Sequence, residues 1–134
     1  MDTNIVVYLL VPGHLSQATE AVFRRDCAWA APLLWRSEFR NVLALYLRRG
    51  MLTLEEALST MEKADLLLQS RTYEIKSREV LSLAAESGCS AYDCEFVALA
   101  QDLRVPFVTS DRKLAAKFKS TAIPLPEFVR PARP

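Results

Sequence analysis

The sequence predicts a single α/β domain built around a largely parallel sheet. Three observations lead there. Short apolar segments of strand character alternate with longer segments of helical period, the order that crossover helices and a parallel sheet produce. The chain has 134 residues, enough for one core and too few for a second substantial domain. Hydrophobic residues make up 51% and charged residues 25%, ample apolar material to exclude a disordered chain.

The elements follow in quick succession. Ile5 to Val11 is an apolar run after the polar Asp2-Thr3-Asn4, stopped by Pro12-Gly13; its composition fits a strand or a buried helix equally. Leu15 to Arg25 has helical character, and Cys27 to Ala31 reads as a strand ending at Pro32. Leu33 to Arg49 is a strong helix, with Arg48 and Arg49 in its last turn and Gly50 to close it. Thr53 opens the next helix, with Glu56 placed to return a reciprocal cap, and the pattern runs to Gln69. Thr72 to Ile75 is a short strand, Ser77 to Glu86 a helix stopped at Gly88, and Ser90 to Leu103 another helix. Pro106 to Thr109 reads as a buried strand, Asp111 to Phe118 as a short helix and Ala122 to Leu125 as a final strand. Residues 1–130 thus form the domain, and the proline-rich 131–134 a frayed tail.

Composition excludes several functional classes. Lys and Arg number 17 against 16 Asp and Glu, so bulk charge does not describe a polybasic nucleic-acid binder. Three cysteines, Cys27, Cys89 and Cys94, are an odd count without paired spacing and suit a reducing compartment, where they act as small buried side chains. No apolar run reaches membrane-spanning length, and no basic segment precedes the first apolar run, so the expected location is the cytoplasm. A single histidine, His14, excludes ribonuclease chemistry based on a histidine pair.

The informative feature is the placement of carboxylates. At about 100° per residue, Leu34, Asn41, Val42 and Leu45 fall on the same arc as Glu38, which places this acid in an apolar stripe. Asp93 shares its face with Phe96, Val97 and Ala100, whereas Glu95 and Asp102 point to the opposite, solvent side. Asp111 follows the apolar strand ending at Thr109, and ligand sites in parallel sheets form at the carboxyl ends of strands. Asp2 begins the first apolar segment. Burying a lone carboxylate costs several kcal/mol. A shared hard cation offsets the repulsion among several, so the four acids suggest an oxygen-ligand site for Mg²⁺ or Mn²⁺ of the kind that serves phosphate-ester chemistry. Each acid also has an ordinary reading. Asp93 completes the pattern of a capping box with Ser90, Asp111 fits a helix N-cap, Glu38 has Arg36 and Arg40 nearby, and Asp2 is terminal.

Asp2-Thr3-Asn4, Ser37-Glu38 with Asn41, Ser90-Ala91-Tyr92-Asp93 and Thr109-Ser110-Asp111 occur in the order found in PIN domains. Over nearly its whole length the chain resembles a VapC-type toxin, the ribonuclease of a toxin–antitoxin pair. The resemblance implies a three-layer α/β/α sandwich around the sheet and a helix beginning at Ile5. It implies an acidic cluster of Asp2, Glu38, Asp93 and Asp111, with Asp2, Asp93 and Asp111 holding Mg²⁺ or Mn²⁺. Thr3 or Asn4, Asn41, Thr109 and Ser110 would orient carboxylates or metal-bound water. The implied activity is metal-dependent hydrolysis of RNA phosphodiester bonds, with Arg36, Arg40, Arg112 and Lys113 near the acids to contact phosphates. A cognate antitoxin and a homodimer are the implied partners, for which Leu-rich amphipathic helices such as Thr53 to Gln69 are candidates. In that family an apolar strand leads into the first Asp, whereas Met1 alone precedes Asp2 here. Either the true start lies upstream of Met1, or the sheet lacks part of its first strand and a terminal amine lies beside the acids. Two rivals differ in class. A receiver-type signalling domain needs a phospho-accepting Asp at a central strand end and a Lys after a later strand, and neither stands out. A catalytically inactive PIN-like module binding RNA or protein keeps the fold without the chemistry.

Overall fold

The computed structural model describes residues 1–130; the expected frayed tail, 131–134, lies outside the described residues. The element order is α1 (Thr3–Leu10), α2 (Ser16–Arg25), β1 (Ala31–Pro32), α3 (Trp35–Arg48), α4 (Leu54–Leu68), β2 (Thr72–Tyr73), α5 (Ser77–Ser87), α6 (Ala91–Leu103), β3 (Phe107–Thr109), α7 (Arg112–Lys117), β4 (Ala122–Pro124) and α8 (Leu125–Phe128). The chain is α/β with short parallel strands. These form two separate pairs, β1 with β2 and β3 with β4, rather than one continuous sheet.

The ambiguous first run is a helix. Asp2 caps α1, and Ile5, Val6 and Val7 are all essentially inaccessible. Three consecutive buried residues need apolar neighbours on most of the helix circumference, and α2, α3 and α4 supply them. That packing outweighs the strand preference of the β-branched Ile and Val side chains. Local signals set the other helix ends. Thr53 and Glu56 make both bonds of the capping box, at 3.2 and 2.8 Å. Ser90 caps α6, and Gly88 closes α5 at a φ of 72°, where a side chain would be strained.

The strand expected over Cys27 to Ala31 is displaced toward the C-terminus. The Asp26 carboxylate accepts from the Ala28 N–H at 2.9 Å, and its carbonyl accepts from the Trp29 indole at 2.7 Å. These local bonds hold residues 26–29 in an irregular segment and delay pairing until Ala31. Pro32 is tolerated because Ala31 and Leu33 donate to β2, through Arg71 and Tyr73 carbonyls, while Pro32 faces the other edge. Cys27 is exposed, Cys89 half-buried and Cys94 buried, so only Cys94 behaves as the core thiol expected of all three. At the other end Leu125 leaves β4 to begin α8, with a proline in that helix's first turn.

The core lies between the helices and the two strand pairs, around Trp35, Phe39, Leu68, Val97 and Phe107. Trp35 meets Phe39 edge to face at 5.9 Å, and its indole N–H donates to Thr72 Oγ1 at 3.0 Å. Met1 and Asp2 cross between the strand pairs. The terminal ammonium donates to the Ala30 carbonyl at 2.8 Å, and the Asp2 N–H donates to the Val108 carbonyl at 3.2 Å.

Candidate acidic site

Asp2 stands where the crossing chain turns into α1. One carboxylate oxygen accepts from the Asn4 N–H at 3.4 Å as the helix cap, and the other accepts from Thr109 Oγ1 at 2.7 Å. The Thr109 hydroxyl, fully buried at the end of β3, also accepts from the Asp111 N–H at 3.0 Å. One oxygen atom thus ties the start of α1 to the start of α7. Asp111 is exposed and caps α7, accepting from the Lys113 and Leu114 N–H groups at 2.9 and 3.0 Å.

Glu38 lies in the first turn of α3, half-buried beside the Trp35, Phe39 and Leu43 face. Its Oε1 accepts from Thr3 Oγ1 at 3.0 Å. Neither nearby arginine pairs with it. Arg36 reaches Asp65 on α4 at 2.9 Å and lies over the Trp35 ring, and Arg40 is exposed. Asp93, half-buried near the start of α6, receives a cap from Ser90 only through its backbone N–H, at 3.1 Å. Its carboxylate makes no hydrogen bond among the described residues, so the capping-box pattern closes on one side only.

The electrostatics link three of these acids. Burial raises the pKa of Asp2, the bond from Thr109 opposes the rise, and the charge of Asp93 adds to it. Burial likewise raises Glu38, the Thr3 bond opposes it, and the charges of Asp2, Asp93 and Glu95 push it further. Asp2, Glu38 and Asp93 therefore lie within one another's field, on α1, α3 and α6. The terminal ammonium is the cation in that field; burial lowers its pKa to about 6, against a smaller opposing pull from Asp2. Glu95, expected to face solvent, is half-buried, and desolvation raises its pKa as well. At two residues beyond Asp93 it leaves that residue's face but turns toward α3, a placement set by tertiary packing that a helical wheel does not contain.

Among the described residues, no three acid, histidine or cysteine side chains stand close enough to grip a metal ion directly. The donor chemistry fits a hard cation nonetheless. The cluster is all carboxylate oxygen, and Asp93 presents an oxygen pair with no donor on it among the described residues. Mg²⁺ retains several of its waters and binds through one or two carboxylates, so it does not require a closed cage. Of the residues expected to orient the acids, Thr109 and Thr3 do so by hydrogen bonding, whereas Asn4 contributes its backbone and the Asn41 side chain is exposed. Ser110 is half-buried, and Arg112 and Lys113 are exposed beside Asp111.

No family model matches the chain. It is similar along most of its length to Ribonuclease VapC3 of Pyrobaculum aerophilum, 28% identical over 127 residues that cover 92% of this chain and 97% of the relative. Among the described residues, no helix is long and apolar enough to cross a membrane.

Proposed function

We propose that the chain is a metal-dependent endoribonuclease of the VapC toxin type, restrained by a cognate antitoxin. The observation that carries this reading is the convergence of Asp2, Glu38 and Asp93 from three helices, with two of the three driven toward protonation by burial and mutual repulsion. A folded chain keeps such an arrangement when a cation offsets it. The similarity to a ribonuclease over nearly the full length of both chains supports the same conclusion.

In this reading Asp2 and Asp93 would hold Mg²⁺ or Mn²⁺, with Asp111 contributing from the α7 cap. When bound, such an ion lowers the pKa of an attacking water and offsets charge on the scissile phosphate. Glu38, which burial pushes toward protonation, would accept a proton from an attacking water. Thr109 and Thr3 keep the Asp2 and Glu38 carboxylates aimed, each by one hydroxyl. Arg40, Arg112 and Lys113 are exposed to take RNA phosphates, whereas Arg36 must first leave Asp65. Leu54, Leu58 and Leu66 are more than half exposed on α4, a face suited to a second copy or an antitoxin.

The test is cleavage of total RNA by the purified chain with Mg²⁺, with Mn²⁺ and with EDTA. Asp93→Asn, which keeps the backbone cap, is the matched variant. Cleavage that requires metal and disappears in Asp93→Asn is the expected result. Metal-independent cleavage, or full activity in Asp93→Asn, refutes the assignment.

A further inference from the structure

The basic side chains are unevenly placed along the chain. Residues 104–130 carry six Lys and Arg against two acids, Asp111 and Glu127, whereas the whole chain has 17 against 16. Part of this excess lines an open groove of about 610 Å³ between α7 and the corner where β4 meets α8. Arg112, Ala115, Ala116 and Lys119 form one side, at the i, i+3, i+4 and i+7 spacing that puts residues on a single helix face. The helix α7 ends at Lys117, and the turn after it keeps Lys119 on the groove. Arg112 and Lys119 are thus about 10 Å apart along the axis, at the two ends of a floor of small alanines. Pro124, Pro126 and Arg130 line the opposite side, with Glu127.

Arg112, Lys119 and Arg130 are exposed, and among the described residues none of them is held in an ion pair. Lys119 also lines a second groove, together with Arg104, Ser120 and Thr121, so the basic track continues past it. At its other end the track begins at the acids. Arg112 follows Asp111 in the chain, and the Thr109 hydroxyl that accepts from the Asp111 N–H donates to Asp2. A strand lying across Asp2 and Asp111 is therefore led onto the α7 face.

We infer that this groove binds the backbone of single-stranded RNA that flanks the bond held at the acidic site, with Arg112, Lys119 and Arg130 each taking a phosphate. The inference rests on RNA being the substrate and adds the path along which that substrate runs. Separated cations over an apolar floor suit the regularly spaced phosphates of one backbone, and the Ala and Pro side chains pack against its sugars. Two walls of side chains admit one sugar-phosphate strand between them, whereas a duplex would rest on the rims. None of these contacts reads a base edge, so the groove adds affinity and register without sequence preference.

The probe is fluorescein-labelled decauridylate, read by anisotropy on the full chain in EDTA. Binding to a single strand weakens by about 0.7 decade per decade of salt for each phosphate contact. Lys119→Gln and Arg130→Gln should each flatten that slope by about 0.7 and weaken binding about fivefold at about 0.1 M salt, and the double variant should show both losses. Lys76→Gln, which removes an exposed charge at the α5 cap, is the control and should change binding by less than about twofold. Glu127→Gln removes the opposing carboxylate and should tighten binding roughly twofold. All four positions are exposed, so the variants should melt with the parent. No binding by the parent, or losses at Lys119 and Arg130 no larger than at Lys76, overturns the proposal. So does tighter binding of a decauridylate–decaadenylate duplex, or equal binding of decaglutamate, which would make the groove a site for an acidic peptide. Cleavage with metal is scored separately. A parent that cuts RNA while both groove variants bind like the parent refutes the groove alone; a parent that binds through the groove and cuts no RNA with Mg²⁺ or Mn²⁺ refutes the nuclease assignment alone.

Discussion

Replacing Thr109 by Val tests whether one hydroxyl organises the acidic site. Valine matches threonine in shape but puts a methyl group where the hydroxyl donates to Asp2 Oδ2 at 2.7 Å and accepts from the Asp111 N–H at 3.0 Å. Threonine at this position is fully buried, so water does not replace either bond. A hydrogen bond to a charged group contributes about 1.5–3 kcal/mol, and an orphaned buried N–H costs about 1–3 kcal/mol. The two losses share a locus and do not add fully, which leaves roughly 2–4 kcal/mol. With about 2.1 cal/mol/K of unfolding entropy per residue, a chain of 134 residues loses about 3.5 °C of Tm per kcal/mol. The metal-free variant should therefore melt roughly 7–14 °C below the parent at pH 7. Thr109→Ser keeps both bonds and should lose only a few degrees. The bond from Thr109 also opposes the upward shift at Asp2, so Thr109→Val should keep Asp2 protonated to higher pH. A Tm within 2 °C of the parent, or equal losses for Ser and Val, would falsify the role given to the hydroxyl.

Two further outcomes follow from the charges. In EDTA, stability should fall as pH rises above the ordinary carboxylate values, because the native state holds protons on Asp2 and Glu38 longer than the unfolded chain does. It should then rise between about pH 6 and 8, the window between the native and ordinary pKa of the terminal amine, where the unfolded state binds the extra proton. That rise is at most about 2.7 kcal/mol by linkage. Urea melts across this window measure it, and persistence of the rise after amino-terminal acetylation would count against the assignment to Met1. Asp93→Asn removes one charge acting on Asp2 and Glu38, so without metal its Tm should equal or exceed that of the parent. Saturating Mg²⁺ should reverse that order by stabilising the parent alone, as seen by thermal shift, and a destabilised metal-free variant would contradict it.

Local chemistry was legible in the sequence, and non-local chemistry was not. The Thr53–Glu56 box, the Ser90 cap and the Gly88 stop each depend on residues within a few positions, and each forms as the pattern indicates. The half-burial of Glu38 and Asp93 followed from helical period, because the wheel fixes which residues share a face. The helix α1 was ambiguous because its apolar run has no polar phase to set a period. The pairing of Arg36 with Asp65, 29 positions away, drew off the arginine that seemed available to Glu38. The Thr3–Glu38 and Thr109–Asp2 bonds span 35 and 107 positions, so no spacing rule indicates them.

The helical state of α1 has a consequence for how the chain misfolds. Ile5 to Val11 has no charge, no proline and no glycine, and it is rich in residues that prefer strands. Its helix is held by burial against α2, α3 and α4 and by the Asp2 cap, so loosening either frees a segment suited to cross-β stacking. The Ala30 and Val108 carbonyls, which accept from Met1 and Asp2, lie beside that cap and are freed when it loosens. A partly opened molecule would therefore expose an aggregation-prone segment next to a template for strand pairing. Packing of the first helix then protects the chain against self-association as well as holding Asp2 in place.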